Sequence, residues 1–77
     1  MSIYILDARN LLCPLPVIRT QQKIANLTPK DLLEVVCTDP GVRYDIPAWC
    51  RIHGHHVRSI TEKDNEIRVH IEVGNNT

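Results

Sequence analysis

The chain has 77 residues, a formal net charge of zero and 43% hydrophobic residues, with three cysteines and no phenylalanine. Independently folding domains cluster at roughly 100 to 150 residues, so residues 1–77 form a single domain, and nine basic against nine acidic residues leave no global field to hold a nucleic acid. No apolar run approaches the ~18 residues of a membrane span and Met1-Ser2-Ile3 does not open a secretory signal, so a cytoplasmic protein with no membrane partner is expected.

Ile3-Tyr4-Ile5-Leu6 reads as a first strand ended by Asp7-Ala8-Arg9-Asn10. Val17, Thr20, Ile24 and Leu27 then recur at helical spacing with Arg19, Gln22, Lys23 and Asn26 opposite, which predicts a helix from about Pro14 to Leu27. Leu32 to Cys37 is a second strand, buried on much of both faces. Asp39-Pro40-Gly41 is a turn. Asp45-Ile46-Pro47 reads as a cap followed by a proline in the first turn of a second helix, with Ile46, Trp49, Cys50 and His53 on one face and Gly54 as its stop. A hairpin follows, from Val57 to Glu62 and from Glu66 to Val73 about a Lys63-Asp64-Asn65 turn, and Gly74 to Thr77 reads as a frayed end. The order βαβαββ gives an α+β, two-layer sandwich: a four-stranded mixed sheet with two helices on one face.

The cysteines fall at positions 13, 37 and 50 with no C-x-x-C pair, which argues against a disulfide framework or a simple zinc site and leaves free thiols. Cys13-Pro14-Leu15-Pro16 stands where the first loop meets the first helix. Pro14 and Pro16 fall where helix N–H groups lack intrahelical partners, so they fix the junction without breaking the helix, and Pro14 pushes Cys13 toward an extended N-cap conformation. From Ala8 to Lys30 the chain carries Arg9, Arg19, Lys23 and Lys30 and no acid. A helix N-terminus and a basic surrounding both lower a thiol's pKa, so an activated, rigidly presented thiol is expected. The bland alternative makes Cys13 a small apolar residue at the helix start, although Ser, Thr, Asp or Asn would cap better.

Residues Asp7 to Val17, then Thr38-Asp39-Pro40, Asp45 to Cys50 and Gly54-His55 resemble the TusA-like (SirA-like) sulfur carriers, with the C-P-x-P signature at the first helix. The resemblance covers about residues 5 to 73. Asn10 replaces the usual glycine three residues before the cysteine, and Asn also tolerates a left-handed conformation. Leu15 stands where members serving tRNA thiolation often have Glu, and C-P-L-P is similar to members from sulfur-oxidising pathways. The resemblance implies a mechanism: Cys13 accepts a sulfane sulfur from a cysteine desulfurase or rhodanese-like donor, carries it as a persulfide and passes it to a DsrE-like acceptor, with no cofactor, metal or general base. Arg19 and Lys23, on the polar side of the helix, are candidates for docking an acidic partner surface, or form a plain solvated face.

Other readings stand beside this one. In a non-catalytic interaction module, Cys13 is only a cap. A redox or metal sensor would use Cys13, Cys50 and the histidines, but the spacing of Cys50, His53, His55 and His56 matches no closed zinc motif, and a packed His53 with exposed His55 and His56 is the plainer expectation. Trp49 reads as core. Arg43, Arg51 and Arg58 lie among acids and predict a solvated surface rather than a tight RNA site.

Overall fold

The computed structural model describes residues 2–74. Its elements follow the order β1 (Ile3–Ala8), α1 (Leu15–Ile24), β2 (Leu32–Cys37), α2 (Val42–His53), β3 (His56–Lys63) and β4 (Glu66–Glu72). The sheet order is β1-β2-β4-β3, with β1 parallel to β2 and the other neighbours antiparallel. This is the expected α+β sandwich. Alternation along the strands sends Leu33, Val35, Ile67, Val69 and Ile71 into one core, where they meet Ile24 from α1 and Val42, Ile46 and Cys50 from α2. Val36, on the other face of β2, is also buried.

Several boundaries differ from the sequence reading. β1 runs on to Ala8 because Asp7 and Ala8 still pair with Val36 and Cys37. α1 is shorter at both ends: its N-cap is Pro14, not Cys13, and beyond Ile24 the chain tightens into turns, with Asn26 N donating to Lys23 O and Leu27 N to Ile24 O. α2 begins at Val42, three residues before the expected cap, and Pro47 lies inside it rather than in its first turn. The cause is packing. Val42, Ile46 and Cys50, at i, i+4 and i+8, form its buried row, and Asp39 Oδ1 accepts from Gly41 N at 3.1 Å to start the helix early. The hairpin turn is reduced to Asp64-Asn65, both at positive φ, which matches the twist of a two-residue connection. Gly74 is tied down, its N–H donating to His55 Nδ1 at 2.9 Å; Asn75 to Thr77, the rest of the expected frayed end, lie outside the described residues.

Two carboxylates stitch the sheet. Asp31 accepts from Thr28 N and from Ser2 N, and Glu34 accepts from Arg68 at 2.8 Å and bonds His70 Nε2 at 2.8 Å. The backbone amide of Thr28 is the main reason Asp31 is held below the usual carboxylate range, and the His70 bond is the main reason for Glu34. A carboxyl lowered in the folded state adds stability that is complete above its unfolded value, and loses it as pH falls through the folded value. The urea midpoint should therefore fall as pH drops below about 4, and Asp31→Asn should flatten that acid limb. Ile71→Ala, deleting a fully buried side chain of β4, should cost about 2–5 kcal/mol in the same assay with the denaturant slope unchanged.

Candidate functional site

Because β1 and β2 are parallel neighbours, the loops leaving their C-terminal ends meet. The β1–α1 loop carries Cys13, the β2–α2 loop carries Thr38 and Asp39, and the first turn of α2 carries Asp45. Asn10 turns the first loop at φ 64 and donates its N–H to Thr38 Oγ1 at 2.9 Å, so the asparagine takes the left-handed conformation expected of it. Cys13 N donates to Asp39 Oδ2 at 2.9 Å. Cys13 Sγ lies 3.2 Å from Asp45 Oδ2, the thiol donating to the carboxylate. The Cys13–Pro14 peptide bond is cis. Pro16 is buried beside Thr20, whose hydroxyl donates to Pro16 O at 2.8 Å, so the second proline of the motif is a packing residue as well as a helix starter.

This geometry reverses the electrostatic expectation for the thiol. The hydrogen bond to Asp45 is the main cause that raises the Cys13 pKa, with desolvation and the charges of Asp45 and Asp39 acting the same way. The basic window does not reach it: Arg9 is engaged by Asp7 and Glu66. The Lys23 ammonium lies 5.2 Å from the centre of the Tyr4 ring, so this half-buried residue is not simply on the polar side of α1. Arg19 is exposed. The helix dipole remains, but its influence falls off within a turn and the Asp45 carboxylate is in contact. No side chain caps α1, so a role for Cys13 as a cap has no basis in the geometry.

The family profile described as sulfurtransferase TusA matches residues 4–73. The chain belongs to the TusA sulfurtransferase family. It is 34% identical over 70 residues to the Bacillus subtilis protein YrkI, covering 91% of this chain and 93% of that one. It is 47% identical over 53 residues to the sulfur carrier protein TusA of Pseudomonas aeruginosa, covering 69% of this chain and 67% of that one. A match to Bacillus subtilis YrkF, at 36% identity over 66 residues, spans 35% of that longer protein.

In this family member the three thiols divide by environment. Cys13 is exposed, whereas Cys37 and Cys50 are buried, and burial pushes both of their thiols up to about 11. Beside the two carboxylates, the elements that present Cys13 also expose apolar side chains: Leu12, Leu15 and Ile18 by 73%, 42% and 39%, and Tyr44, next to Asp45, by 75%. The sequence reading looked to Arg19 and Lys23 for docking and passed over these side chains. It also passed over Asp39 and Asp45 as neighbours of the thiol, although parallel pairing of the first two strands would have brought their loops together.

The histidines exchange places with their expected roles. His53 is exposed and His55 is buried: both rings lie against Trp49, at 4.8 and 5.3 Å, but only His55 also accepts from Gly74 N through Nδ1. Among the described residues His55 Nε2 is buried without a partner. Trp49 is half-buried against the core, as expected. Among the described residues no group of three or more His, Cys, Asp or Glu side chains is arranged to hold a metal, and no helix is long and apolar enough to cross a membrane. Arg43 and Arg58 are engaged with Glu62 and Glu72. With one accessible thiol of three, a disulfide-exchange reagent should titrate a single cysteine in the native protein and all three in denaturant, and Cys13→Ser should remove the native reaction.

Proposed function

We propose that this protein is a persulfide carrier: Cys13 accepts a sulfane sulfur from a donor's cysteine persulfide and hands it to a cysteine of an acceptor protein. The single observation that carries the reading is the exposed Cys13 at the loop-to-helix junction of a TusA-family chain whose other two cysteines are buried. In loading, the Cys13 thiolate attacks the outer sulfur of R–S–SH, the donor's S–S bond breaks, and the donor thiolate leaves and takes up the proton that Cys13 lost. The balance is Cys13–SH plus R–S–SH giving Cys13–S–SH plus R–SH, with no external oxidant or reductant. Unloading is the same exchange with the roles reversed.

Three features support it. A carried persulfide must stay open to attack without a neighbouring thiol that would release it as sulfide, and burial keeps Cys37 and Cys50 away from that role. The exposed Leu12, Leu15, Ile18 and Tyr44 offer apolar contact on the elements that present the reacting atom, which suits a partner protein better than a small substrate. The name of the Pseudomonas aeruginosa relative is that of a sulfur carrier. Family membership makes a cysteine desulfurase or rhodanese-like protein our proposed donor and a DsrE-like protein our proposed acceptor, in the cytoplasm, with thiolated tRNA, molybdenum cofactor or sulfur oxidation as the open downstream routes. The chain is then one component of a sulfurtransferase, with no cofactor of its own.

Incubation with a sulfane-sulfur donor followed by intact mass measurement should find one added sulfur atom, removed by dithiothreitol and absent in Cys13→Ser. An unmodified wild type, or sulfur found only on Cys37 or Cys50, would contradict the proposal.

A further inference from the structure

We propose that Asp45 is a latch that reads the loading state of Cys13: it holds the empty thiol protonated and anchored to α2, and it lets go of the persulfide. This rests on Cys13 being the sulfur-bearing atom. The contact between Cys13 Sγ and Asp45 Oδ2, at 3.2 Å, is a hydrogen bond only while the sulfur carries its proton, because a thiolate and a carboxylate are both acceptors. Asp39 adds a second carboxylate, with Oδ2 on Cys13 N and Oδ1 on Gly41 N. Both carboxylates converge on Gly41, where a Cβ would lie 3.5 Å from Asp45 Oδ2 and 3.6 Å from Asp39 Oδ1.

Among the described residues, neither carboxylate has an ion-pair partner. Arg9 of the β1–α1 loop is engaged with Asp7 and Glu66, Lys23 of α1 with Tyr4 and Arg43 of α2 with Glu62, while Arg19 of α1 is exposed and pairs with neither carboxylate. The thiol therefore faces two carboxylates that no cation pairs among the described residues, Asp39 held by the Cys13 and Gly41 amides and Asp45 in the first turn of α2, in line with the upward direction of its pKa.

Loading changes the donor. In Cys13–S–SH the titratable hydrogen sits on the outer sulfur, so Sγ has nothing to give Asp45. A persulfide is a stronger acid than the parent thiol and is an anion at neutral pH, so the terminal sulfur is repelled by both carboxylates and turns toward solvent and the acceptor. The empty carrier, by contrast, is a weak nucleophile toward stray electrophiles. A docked donor persulfide overcomes this through proximity, at high effective concentration.

The test is alkylation by iodoacetamide between pH 6 and 10, followed by intact mass, on wild type, Asp45→Asn, Asp45→Ser and Asp45→Glu. Removing the carboxylate should lower the midpoint for the empty thiol by about one unit, which is about a tenfold larger thiolate fraction at pH 7 and, with the nucleophilicity lost as the pKa falls, a reaction about three- to fourfold faster. Asp45→Glu should move it back toward wild type. The loaded forms should alkylate at rates within about twofold of one another, since the persulfide is already ionised and detached. Folded variants incorporate one alkyl group and unfolded ones three, because Cys37 and Cys50 are buried.

An unchanged midpoint in folded Asp45→Asn or Asp45→Ser, or an equal acceleration of the loaded forms, overturns the latch. Should those variants not fold, infrared spectroscopy of the wild type decides: the Cys13 S–H stretch should be shifted down by the carboxylate and vanish on loading, and a band at the unbonded position overturns the proposal. If no sulfur loads at all, the carrier reading fails, while the midpoint of the empty thiol still decides whether Asp45 restrains it.

Discussion

The parallel pairing of β1 with β2 determines where every functional atom of this small protein lies. It sets the two loops at the C-terminal ends of those strands side by side, and Thr38 and Asp39 of the second loop and Asp45 of the first turn of α2 then hold the first loop by Asn10 N, Cys13 N and Cys13 Sγ. The reactive loop has no secondary structure of its own to stiffen it. Its position comes from those three bonds and from Pro14 and Pro16, the latter buried at the start of α1.

The arrangement separates presentation from activation. A thiol at a helix start would ordinarily gain thiolate character from the dipole. Here the hydrogen bond to Asp45 opposes the dipole and raises the pKa of the thiol. Such a site suits a carrier that must persist in its empty form between encounters. Selectivity among thiols is achieved separately, by burial of Cys37 and Cys50, so the sheet that positions the loop also keeps competing sulfurs out of reach.

Much of the fold is legible in the sequence because its elements obey simple periodicities. The alternation of Ile67, Val69 and Ile71 and the row of Thr20 and Ile24 leave little choice of which face turns inward. What misleads is local grammar overridden by packing. Asp45-Ile46-Pro47 looks like a helix start, but the buried row beginning at Val42 and the Asp39 side chain start α2 earlier and carry Pro47 into its interior. His53 and His55 change places because a contact with Gly74, distant in sequence, captures His55.

Cys13 itself is legible, since few other demands place a cysteine between a turn and two prolines. Its electrostatic surroundings are not, because they depend on acids 26 and 32 residues away brought close by strand pairing, and a count of neighbouring charges along the chain points the wrong way. Half of the basic window is engaged in space, Arg9 by Asp7 and Glu66 and Lys23 by the Tyr4 ring, while Arg19 and Lys30 are exposed.

The claim at the centre of this account is that sulfur passes through Cys13 rather than resting there. A chase measures it directly: protein loaded with isotopically labelled sulfane sulfur is mixed with an acceptor protein thiol, and peptides of both are mapped over time. The label should leave the Cys13 peptide and appear as a persulfide on the acceptor cysteine with matching kinetics. Label that stays on Cys13 while the acceptor remains empty, or that escapes only as free sulfide, would contradict it.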